Sequence, residues 1–296
     1  MYEDIKSNKI KTGAIISIFI LAITLIIYYI CMAFDLGPIS IVIALAISII
    51  TAWTSYYNSD KIVLSMSKAR PATKEEYQKL VNILDALVVS ANMEHTPRLY
   101  VMESKQPNAF ATGRNIENSV ICVTTGLLEK LDYYELEGVI AHELSHIANY
   151  DIRLSAVVTV MVGFVVMLSD MFSRRFFFKS SGKNNKDNSA SAILMLIGFV
   201  LLILAPIFGK LMQLAISRRR EFLADATAIK FTRNPDGLIS ALQKISSDPN
   251  KLENANQSTA HMYFSSPFRK GDKKQSDLFS THPSIEARIE ALRNLK

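Results

Sequence analysis

The sequence predicts a mainly α-helical membrane protein with about four transmembrane helices and an α+β domain that contains a small β-sheet. Hydrophobic residues make up 49% of the 296 residues and the mean hydropathy is +0.19, which is high for a soluble domain of this length. The hydrophobicity is concentrated in four runs, and the segments between them show helix-capping pairs and strand patterns. The predicted divisions are a first hairpin at 1–56, a first domain part at 57–153, a second hairpin at 154–216 and a second domain part at 217–296.

The first hairpin consists of about 19 uncharged residues at 14–32 and about 17 at 38–54. Each run is long enough to cross a hydrocarbon core about 30 Å thick. A cleaved signal peptide is the alternative for the first run, but no small-residue cleavage pattern follows it and a second run comes at once. Basic residues flank the hairpin while its turn carries only Asp35, so both of its ends are predicted to be cytoplasmic.

The second hairpin has hydrophobic runs at 154–168 and 192–208, of which the first is short for a full span. The loop between them is basic, although it must face outward if both runs cross the membrane once. Two true spans are favoured, because the preceding helix can run straight into the first run. After the second run the chain is then back on the side of the membrane on which that helix lies. A re-entrant hairpin, or a hydrophobic pair buried in protein, is the alternative.

The most specific motif is the pentapeptide H-E-L-S-H at 142–146. Residues four apart lie on one face of a helix, so His142 and His146 can offer two imidazole nitrogens to one Zn²⁺ ion. Glu143 lies on the flank of that face, where it can take a proton from an attacking water without binding the metal. This pattern is typical of a metallopeptidase zinc site. An ordinary exposed helix segment is the alternative, because so short a motif also occurs by chance.

A third ligand is expected elsewhere, because catalytic zinc generally has three protein ligands and one open position. Glu221 and Asp225 lie four residues apart in a later helical segment, and hence on one face. Glu221 could bind the metal while Asp225 holds a ligand histidine by its second ring nitrogen. The alternative is a solvated helix face that pairs with neighbouring arginines.

The α+β domain is predicted from capping pairs and residue patterns. Thr73 with Glu76 begins a helix that ends near Val89, and Asp132 with Glu135 begins the helix of the H-E-L-S-H motif. The other predicted elements are strands at 98–102, 109–112 and 119–124, and helices at 237–246 and 284–294.

Four motifs occur in a fixed order along the chain. They are N-A-F-A-T-G at 108–113, H-E-L-S-H-x-x-N-x-D at 142–151, R-E-F-x-A-D at 220–225 and T-H-P at 281–283. In this combination the chain resembles the HtpX heat-shock membrane proteases, which belong to a wider group with the zinc-dependent CAAX prenyl proteases. The resemblance covers nearly the whole chain, including its hydrophobic segments.

The resemblance implies a gluzincin-like α+β zinc peptidase domain with one Zn²⁺ per chain. It also implies that His282 of the T-H-P motif and Arg288, six residues later, stabilise the oxyanion of the tetrahedral intermediate. The alternatives are a helix-start residue for His282 and a surface charge for Arg288. His95 and His261 are interpreted as surface residues.

An edge strand beside the motif helix would suit a protease, because it can hold an extended peptide through main-chain hydrogen bonds. The segment Asn108, Ala109, Phe110 and Ala111 is the candidate substrate-binding edge, as the resemblance also implies. An ordinary turn and core strand is the alternative.

The expected protein is a multi-pass zinc endopeptidase of a bacterial-type plasma membrane, with its catalytic domain in the cytoplasm. By resemblance, its substrates are unfolded or misassembled membrane proteins and their cytoplasmic regions, as in a stress response. A prenyl-protein protease and a non-catalytic zinc-binding membrane scaffold are the alternatives, and Glu143 argues against the scaffold.

Charge and cysteine usage agree with this location. The net charge of +6 fits an anionic membrane surface, and no recognised motif accompanies it that would indicate binding to nucleic acid. Cys31 and Cys122 form no evident disulfide framework and are interpreted as buried packing residues in a reducing compartment.

Overall fold

The structure is a computed structural model that describes residues 2–33, 37–179, 198, 217–252, 258–267 and 283–295. Its described part is mainly helical and contains one four-stranded sheet. The α-helices are α1 (Tyr2–Ala33), α2 (Ser40–Tyr57), α3 (Ser59–Met66), α4 (Lys74–Ser90), α5 (Thr125–Lys130), α6 (Tyr133–Ala148), α7 (Asp151–Lys179), α8 (Arg218–Thr232), α9 (Pro235–Ser247) and α10 (Ile285–Arg293). The strands are β1 (Arg70–Pro71), β2 (Arg98–Met102), β3 (Ala109–Gly113) and β4 (Ser119–Thr124).

The first hydrophobic hairpin is present as the helices α1 and α2. Two segments are long and apolar enough to cross a membrane, Lys6–Tyr28 and Gly37–Tyr57. Large apolar side chains on these helices are exposed, among them Leu21 and Val42 at 62% and 64%. Such exposure is expected of a surface that faces lipid rather than water.

One face of α1 packs along the first half of α7. The aromatic rings of Phe19 and Phe164 meet edge to face, with their centroids 6.0 Å apart. The buried positions of α1 that follow a helical spacing of three or four residues are Asn8, Thr12, Ile15, Phe19, Ile23 and Ile26. The apolar members of this stripe contact a matching set on α7, which includes Leu154, Val158 and Met161.

The helices α6 and α7 meet at a sharp corner. Their axes differ by 83°, so the prediction that the motif helix runs straight into the next hydrophobic run is wrong. Asn149 follows α6 as its C-cap, and Tyr150 adopts a left-handed conformation with φ of 59° before α7 begins at Asp151. A residue in this conformation ends a right-handed helix and redirects the chain.

The number of transmembrane helices falls below the predicted four within the described residues. Besides the two spans of the first hairpin, α6 and α7 together could form one broken span, which gives three at most. The predicted run at 192–208 lies outside the described residues except for Gly198. A fourth span is therefore not part of the architecture described here.

The sheet has the strand order β1-β2-β4-β3, with β2 and β4 parallel and the two outer pairs antiparallel. The three predicted strands are confirmed, and β3 is an edge strand, as predicted for the substrate-binding segment. The two-residue strand β1 was not predicted. It contains Pro71, and a strand this short gives no alternating pattern that sequence analysis can detect.

The core of the domain lies between the sheet and the helices α4, α6 and α9. Its fully buried members include Leu80, Ile83 and Leu87 of α4, Val101 and Ile121 of the sheet, Val139, Ile140 and Leu144 of α6, and Leu238 and Leu242 of α9. Both predicted capping boxes are present, at the starts of α4 and α6. Cys31 and Cys122 are buried and free, as predicted.

Gly138 lets α6 and α9 approach each other closely. A Cβ atom at this position would lie 2.9 Å from the main-chain N and Cα of Leu238, closer than real contacts allow. The approach holds α9 against α6 four residues before His142. Packing of α9 therefore contributes directly to the position of the H-E-L-S-H motif.

Candidate metal centre

Three side chains from α6 and α8 converge on one point. The Nε2 atoms of His142 and His146 are 3.2 Å apart. The carboxylate of Glu221 lies 3.8 Å from Nε2 of His142 and 3.5 Å from Nε2 of His146. Glu221 is buried, so the alternative of a solvated helix face is wrong for this residue.

The spacing of these atoms fits a single metal ion. The three ligand atoms all lie within 4.8 Å of one another. Ligands bound about 2.1 Å from a tetrahedral ion lie roughly 3.4 Å apart. The separation of the two Nε2 atoms and the distance from each Nε2 atom to its nearer Glu221 oxygen, Oε2 for His142 and Oε1 for His146, are close to this value. Two imidazoles and one carboxylate also match the ligand set of a catalytic site, which keeps one position open.

The ring of His142 is oriented by a buried carboxylate. Nδ1 of His142 lies 2.9 Å from Oδ1 of Asp225, which directs Nε2 towards His146 and Glu221. Asp225 is 2% exposed, so it does not lie on a solvated face. It lies beside the second ring nitrogen of a candidate ligand histidine, and its role in holding that ligand stays a prediction.

Arg288 holds Asp225 from its other side. Its Nε donates to Oδ2 of Asp225 at 2.8 Å, its Nη2 donates to Oδ1 at 2.6 Å, and its Nη1 donates to the carbonyl oxygen of Phe264 at 3.1 Å. Arg288 is 1% exposed, so the alternative of a surface charge is wrong. The charge and hydrogen bonds of Arg288 outweigh the effect of burial and lower the pKa of Asp225.

The guanidinium of Arg288 lies beside Nδ1 of His142, whereas Nε2 of that ring faces the ligands. Nη2 of Arg288 and Nδ1 of His142 both donate to Oδ1 of Asp225, which accounts for the distance of 3.3 Å between these two nitrogens. The predicted contact of Arg288 with an oxyanion remains a prediction. His282, its predicted partner in that role, lies outside the described residues.

The ring of His146 is oriented by Asp151, the first residue of α7. Nδ1 of His146 lies 3.0 Å from Oδ2 of Asp151. Both histidines of the motif therefore have a carboxylate beside Nδ1. This role of Asp151 was not predicted, because helical spacing cannot place a residue that lies beyond a chain reversal. Its place in the H-E-L-S-H-x-x-N-x-D motif was the available signal.

The two imidazoles have opposite electrostatic environments. Burial, together with the charge of Arg288, lowers the pKa of His142 to about 4. Burial also acts to lower the pKa of His146, but the hydrogen bond with Asp151 and the charge of Glu221 outweigh it and raise that pKa to about 9. When no metal is bound, these opposite shifts favour the neutral form of His142 and the protonated form of His146.

Glu143 lies in the wall of the same cavity and is 2% exposed. Burial raises the pKa of its carboxyl to about 7, and the main-chain N–H of Ala111 donates to it. A carboxyl with this pKa can both accept and release a proton near neutral pH. The alternative of an exposed helix segment is therefore wrong for the motif.

The cavity is also lined by His261, which corrects its interpretation as a surface residue. His261 is 5% exposed, and its Nε2 lies 3.4 Å from Oγ1 of Thr159 in α7. It belongs to a short 3-10 turn, Ala260–Met262, that packs against α7. A contact between segments so far apart in sequence leaves no local pattern. His95 is exposed, as predicted.

The candidate substrate edge already contacts another part of the chain. The main-chain N–H of Phe264 donates to the carbonyl oxygen of Ala109 at 2.7 Å. The side-chain amide of Asn108 donates to the carbonyl oxygen of Ser265 at 3.0 Å and accepts from its N–H at 3.2 Å. Phe110 of β3 is buried, and its ring packs against that of Tyr263.

Of the four residues predicted to bind substrate, Ala111 lines the cavity of the metal centre. Asn108 is fully buried and holds the segment around Ser265 in place. The role of this strand in binding substrate stays a prediction.

Proteins of known family that resemble this chain agree with the metal site that the geometry indicates. The chain matches peptidase family M48 over residues 74–296. It is 44% identical over 292 residues to a protein named Protease HtpX homolog from Dictyoglomus thermophilum, a match that covers 99% of this chain and 94% of the relative. It is 41% identical over 307 residues to a Protease HtpX homolog from Listeria monocytogenes serotype 4a, and this match covers 100% of both chains.

Among solved structures, the chain is similar to the crystal structure of S. mikatae Ste24p, with a TM-score of 0.48 and 20% identity. That match covers 99% of this chain and 67% of the other. The full-length relatives confirm the resemblance that the four motifs indicated. The chain therefore belongs to peptidase family M48 and is a membrane metalloprotease.

Proposed function

We propose that the protein is a zinc endopeptidase in which His142, His146 and Glu221 bind one Zn²⁺ and Glu143 is the general base. The observation that supports this most strongly is the convergence of the three ligand atoms at the wall that also carries Glu143. A non-catalytic scaffold would have no need of a buried base, and a structural zinc site normally has four protein ligands.

The reaction is hydrolysis of a peptide bond. Bound Zn²⁺ would polarise the scissile carbonyl and make water a better nucleophile. Glu143 accepts a proton from the attacking water and passes it to the leaving amine. Asp151 and Asp225 keep the ligand imidazoles in the orientation that presents Nε2. The chain's own residues therefore supply the ligands, their orientation and the proton transfer.

The proposed location of the metal centre is the cytoplasmic surface of the membrane. Aromatic residues cluster at the end of α2, where the rings of Trp53 and Tyr57 are 4.5 Å apart. The guanidinium of Arg114, from the domain, lies over the ring of Tyr57 at 5.2 Å. Aromatic residues with basic neighbours are typical anchors at a membrane interface. This contact supports a domain that rests directly on the membrane surface.

The proposed substrates are unfolded or misassembled membrane proteins, cleaved where a segment emerges from the bilayer. Ala111 lies in the wall of the cleft on an edge strand, so an extended peptide of varied sequence could bind there through its main chain. We expect an unfolded segment tethered to a transmembrane helix to be cleaved faster than the same segment in free form. Preferential cleavage of a farnesylated peptide would instead favour the prenyl-protein protease.

Exchange of Glu143 for Gln tests the catalytic role. The variant should fold and bind Zn²⁺, while hydrolysis of an unfolded substrate falls by at least ~10²-fold, the usual contribution of general acid–base catalysis. Glu137→Gln is the matched control, because Glu137 lies on the same helix and does not line the cavity. Near-normal cleavage by Glu143→Gln with zinc bound would show that the proposed mechanism is wrong.

Labelling of an introduced cysteine tests the orientation, because the two native cysteines, Cys31 and Cys122, are buried. Val89 is 80% exposed at the end of α4, so Val89→Cys offers an accessible thiol on the domain. We expect an impermeant maleimide to label it in opened membranes and not in intact cells. Labelling from outside intact cells would contradict the cytoplasmic location.

A further inference from the structure

Asn8 is a polar residue at a buried position of the first membrane helix. It is 2% exposed and begins the stripe through which α1 packs against α7. Deeper members of that stripe, such as Ile15 and Phe19, are apolar. Polar side chains buried in membrane helices generally have a specific partner and a functional reason. The partner of Asn8 is the corner between α6 and α7.

The amide of Asn8 makes two contacts at that corner. Its Nδ2 donates to Oδ1 of Asp151 at 2.7 Å and lies 3.3 Å from the carbonyl oxygen of Asn149. Both partners are acceptors, so the NH₂ group must face them whichever way the amide is drawn. One side chain of α1 therefore fixes the residue that ends α6 and the residue that begins α7.

These contacts connect α1 to a candidate metal ligand. One oxygen of Asp151 accepts from Asn8, and the other lies 3.0 Å from Nδ1 of His146. The hydrogen bond from Asn8 thus holds the plane of the carboxylate. The carboxylate in turn holds the imidazole with Nε2 towards the metal position.

The carboxylate beside the other candidate ligand, His142, is also held in place by hydrogen-bond donors. Asp225, which orients His142, is held by two short hydrogen bonds from Arg288. Asp151 has a nearby arginine too, but Nε of Arg220 is 3.4 Å from Oδ1, which is long for a hydrogen bond. The shortest contact to Asp151 is the one from Asn8. Asn8 therefore holds Asp151 in place as Arg288 holds Asp225.

We propose that Asn8 is a positioning residue of the metal centre, through which the first membrane hairpin orients Asp151 and thereby His146. The inference rests on the proposed role of His146 as a metal ligand. It makes the membrane anchor a part of the metal centre. Separation of α1 from the corner of α6 and α7 should therefore weaken metal binding even if the domain stays folded.

The test uses the full chain in detergent micelles or nanodiscs. Asn8→Asp keeps the size of the side chain but places a second carboxylate against Asp151, and Asn8→Ala removes the donor alone. We expect zinc affinity, measured by competition with a chelator, to fall by about 10-fold or more in both variants. The visible absorption spectrum of the Co²⁺-substituted protein should change as well, because it reports the geometry at His146.

Two further variants separate positioning from packing. Ile15→Ala removes packing from the same stripe of α1 without touching Asp151, so it should lower the melting temperature and leave zinc affinity and the Co²⁺ spectrum unchanged. In a chain that already carries Asp151→Ala, addition of Asn8→Ala should weaken zinc binding no further, because the two residues act in series.

Wild-type zinc affinity and an unchanged Co²⁺ spectrum in Asn8→Ala would overturn the proposal. Equal weakening of zinc binding by Ile15→Ala would overturn it too, because α1 would then act through packing alone. Asn8→Ala decides the matter if Asn8→Asp fails to insert. If the wild-type chain itself binds no Zn²⁺, the proposed function fails first and this inference fails with it.

Discussion

Replacement of Arg288 by Leu should destabilise the domain and weaken metal binding together. Arg288 and Asp225 are 1% and 2% exposed, so solvent does not screen the pair. Loss of Arg288 leaves a buried carboxylate with His142 as its remaining hydrogen-bond partner. Breaking a buried ion pair on one side costs about 3–5 kcal/mol in the free energy of unfolding. We expect about 3 kcal/mol, because the bond with His142 remains.

The assay compares thermal unfolding and zinc affinity in detergent. Arg293→Leu is the matched control, because Arg293 is an exposed residue of the same helix. Zinc affinity of Arg288→Leu should fall by about 10–100-fold, as is usual when a group that orients a metal ligand is disturbed. The double variant with Asp225→Leu should recover stability, since an apolar pair can replace a buried ion pair, but not zinc affinity.

A different result would refute this reasoning. If Arg288→Leu keeps wild-type stability and zinc affinity and loses only kcat, the residue acts on the transition state, as its expected contact with an oxyanion would require. Stability within about 0.5 kcal/mol of the wild type would also show that the pair is hydrated in solution, since surface changes are usually of that size.

Three other predictions concern the ligands and their support. Glu221→Ala should lower the zinc content measured by mass spectrometry, and full zinc occupancy with normal activity would remove Glu221 from the ligand set. Zinc affinity should rise about tenfold per pH unit up to about pH 9 and then level off. The reason is that His146 has a raised pKa of about 9 when no metal is bound and must lose its proton to bind zinc. A zinc affinity that does not change between pH 6 and 8 would contradict this. Gly138→Val should force α6 and α9 apart and lower the melting temperature, whereas an unchanged melting temperature would mean that the close approach seen at Gly138 is not maintained in solution.

Local patterns were sufficient for most of the longer elements and for the two histidines among the candidate metal ligands, whereas the short elements α3, α5 and β1 were not predicted. Helical spacing placed His142 and His146 on one face, and the capping boxes marked the starts of α4 and α6. Glu221 could be inferred because the chemistry of catalytic zinc requires a third ligand and the sequence offered a carboxylate in a helical context. For the two histidines and the helix starts, the information lies within a few residues of the feature, whereas Glu221 also required the motif at 142–146.

Contacts between distant segments could not be predicted in this way. The left-handed residue Tyr150 turns the chain by a sharp angle, and no local rule identifies a tyrosine as the site of a helix reversal. Asp151 gains its role from that turn, and Asn8 gains its role from the packing of α1 against α7. His261 was misplaced for the same reason, because its burial depends on a helix about a hundred residues earlier in the chain.

The order of the candidate ligands along the chain has a consequence for biosynthesis. Glu221 follows His146 by 75 residues (146 to 221), and the intervening segment includes the second hydrophobic stretch. At a translation rate of about 5–20 residues per second, the set of candidate ligands would be complete roughly 4–15 s after the two histidines have been made. A membrane metalloprotease of this architecture is thereby kept inactive while its own chain is incompletely assembled.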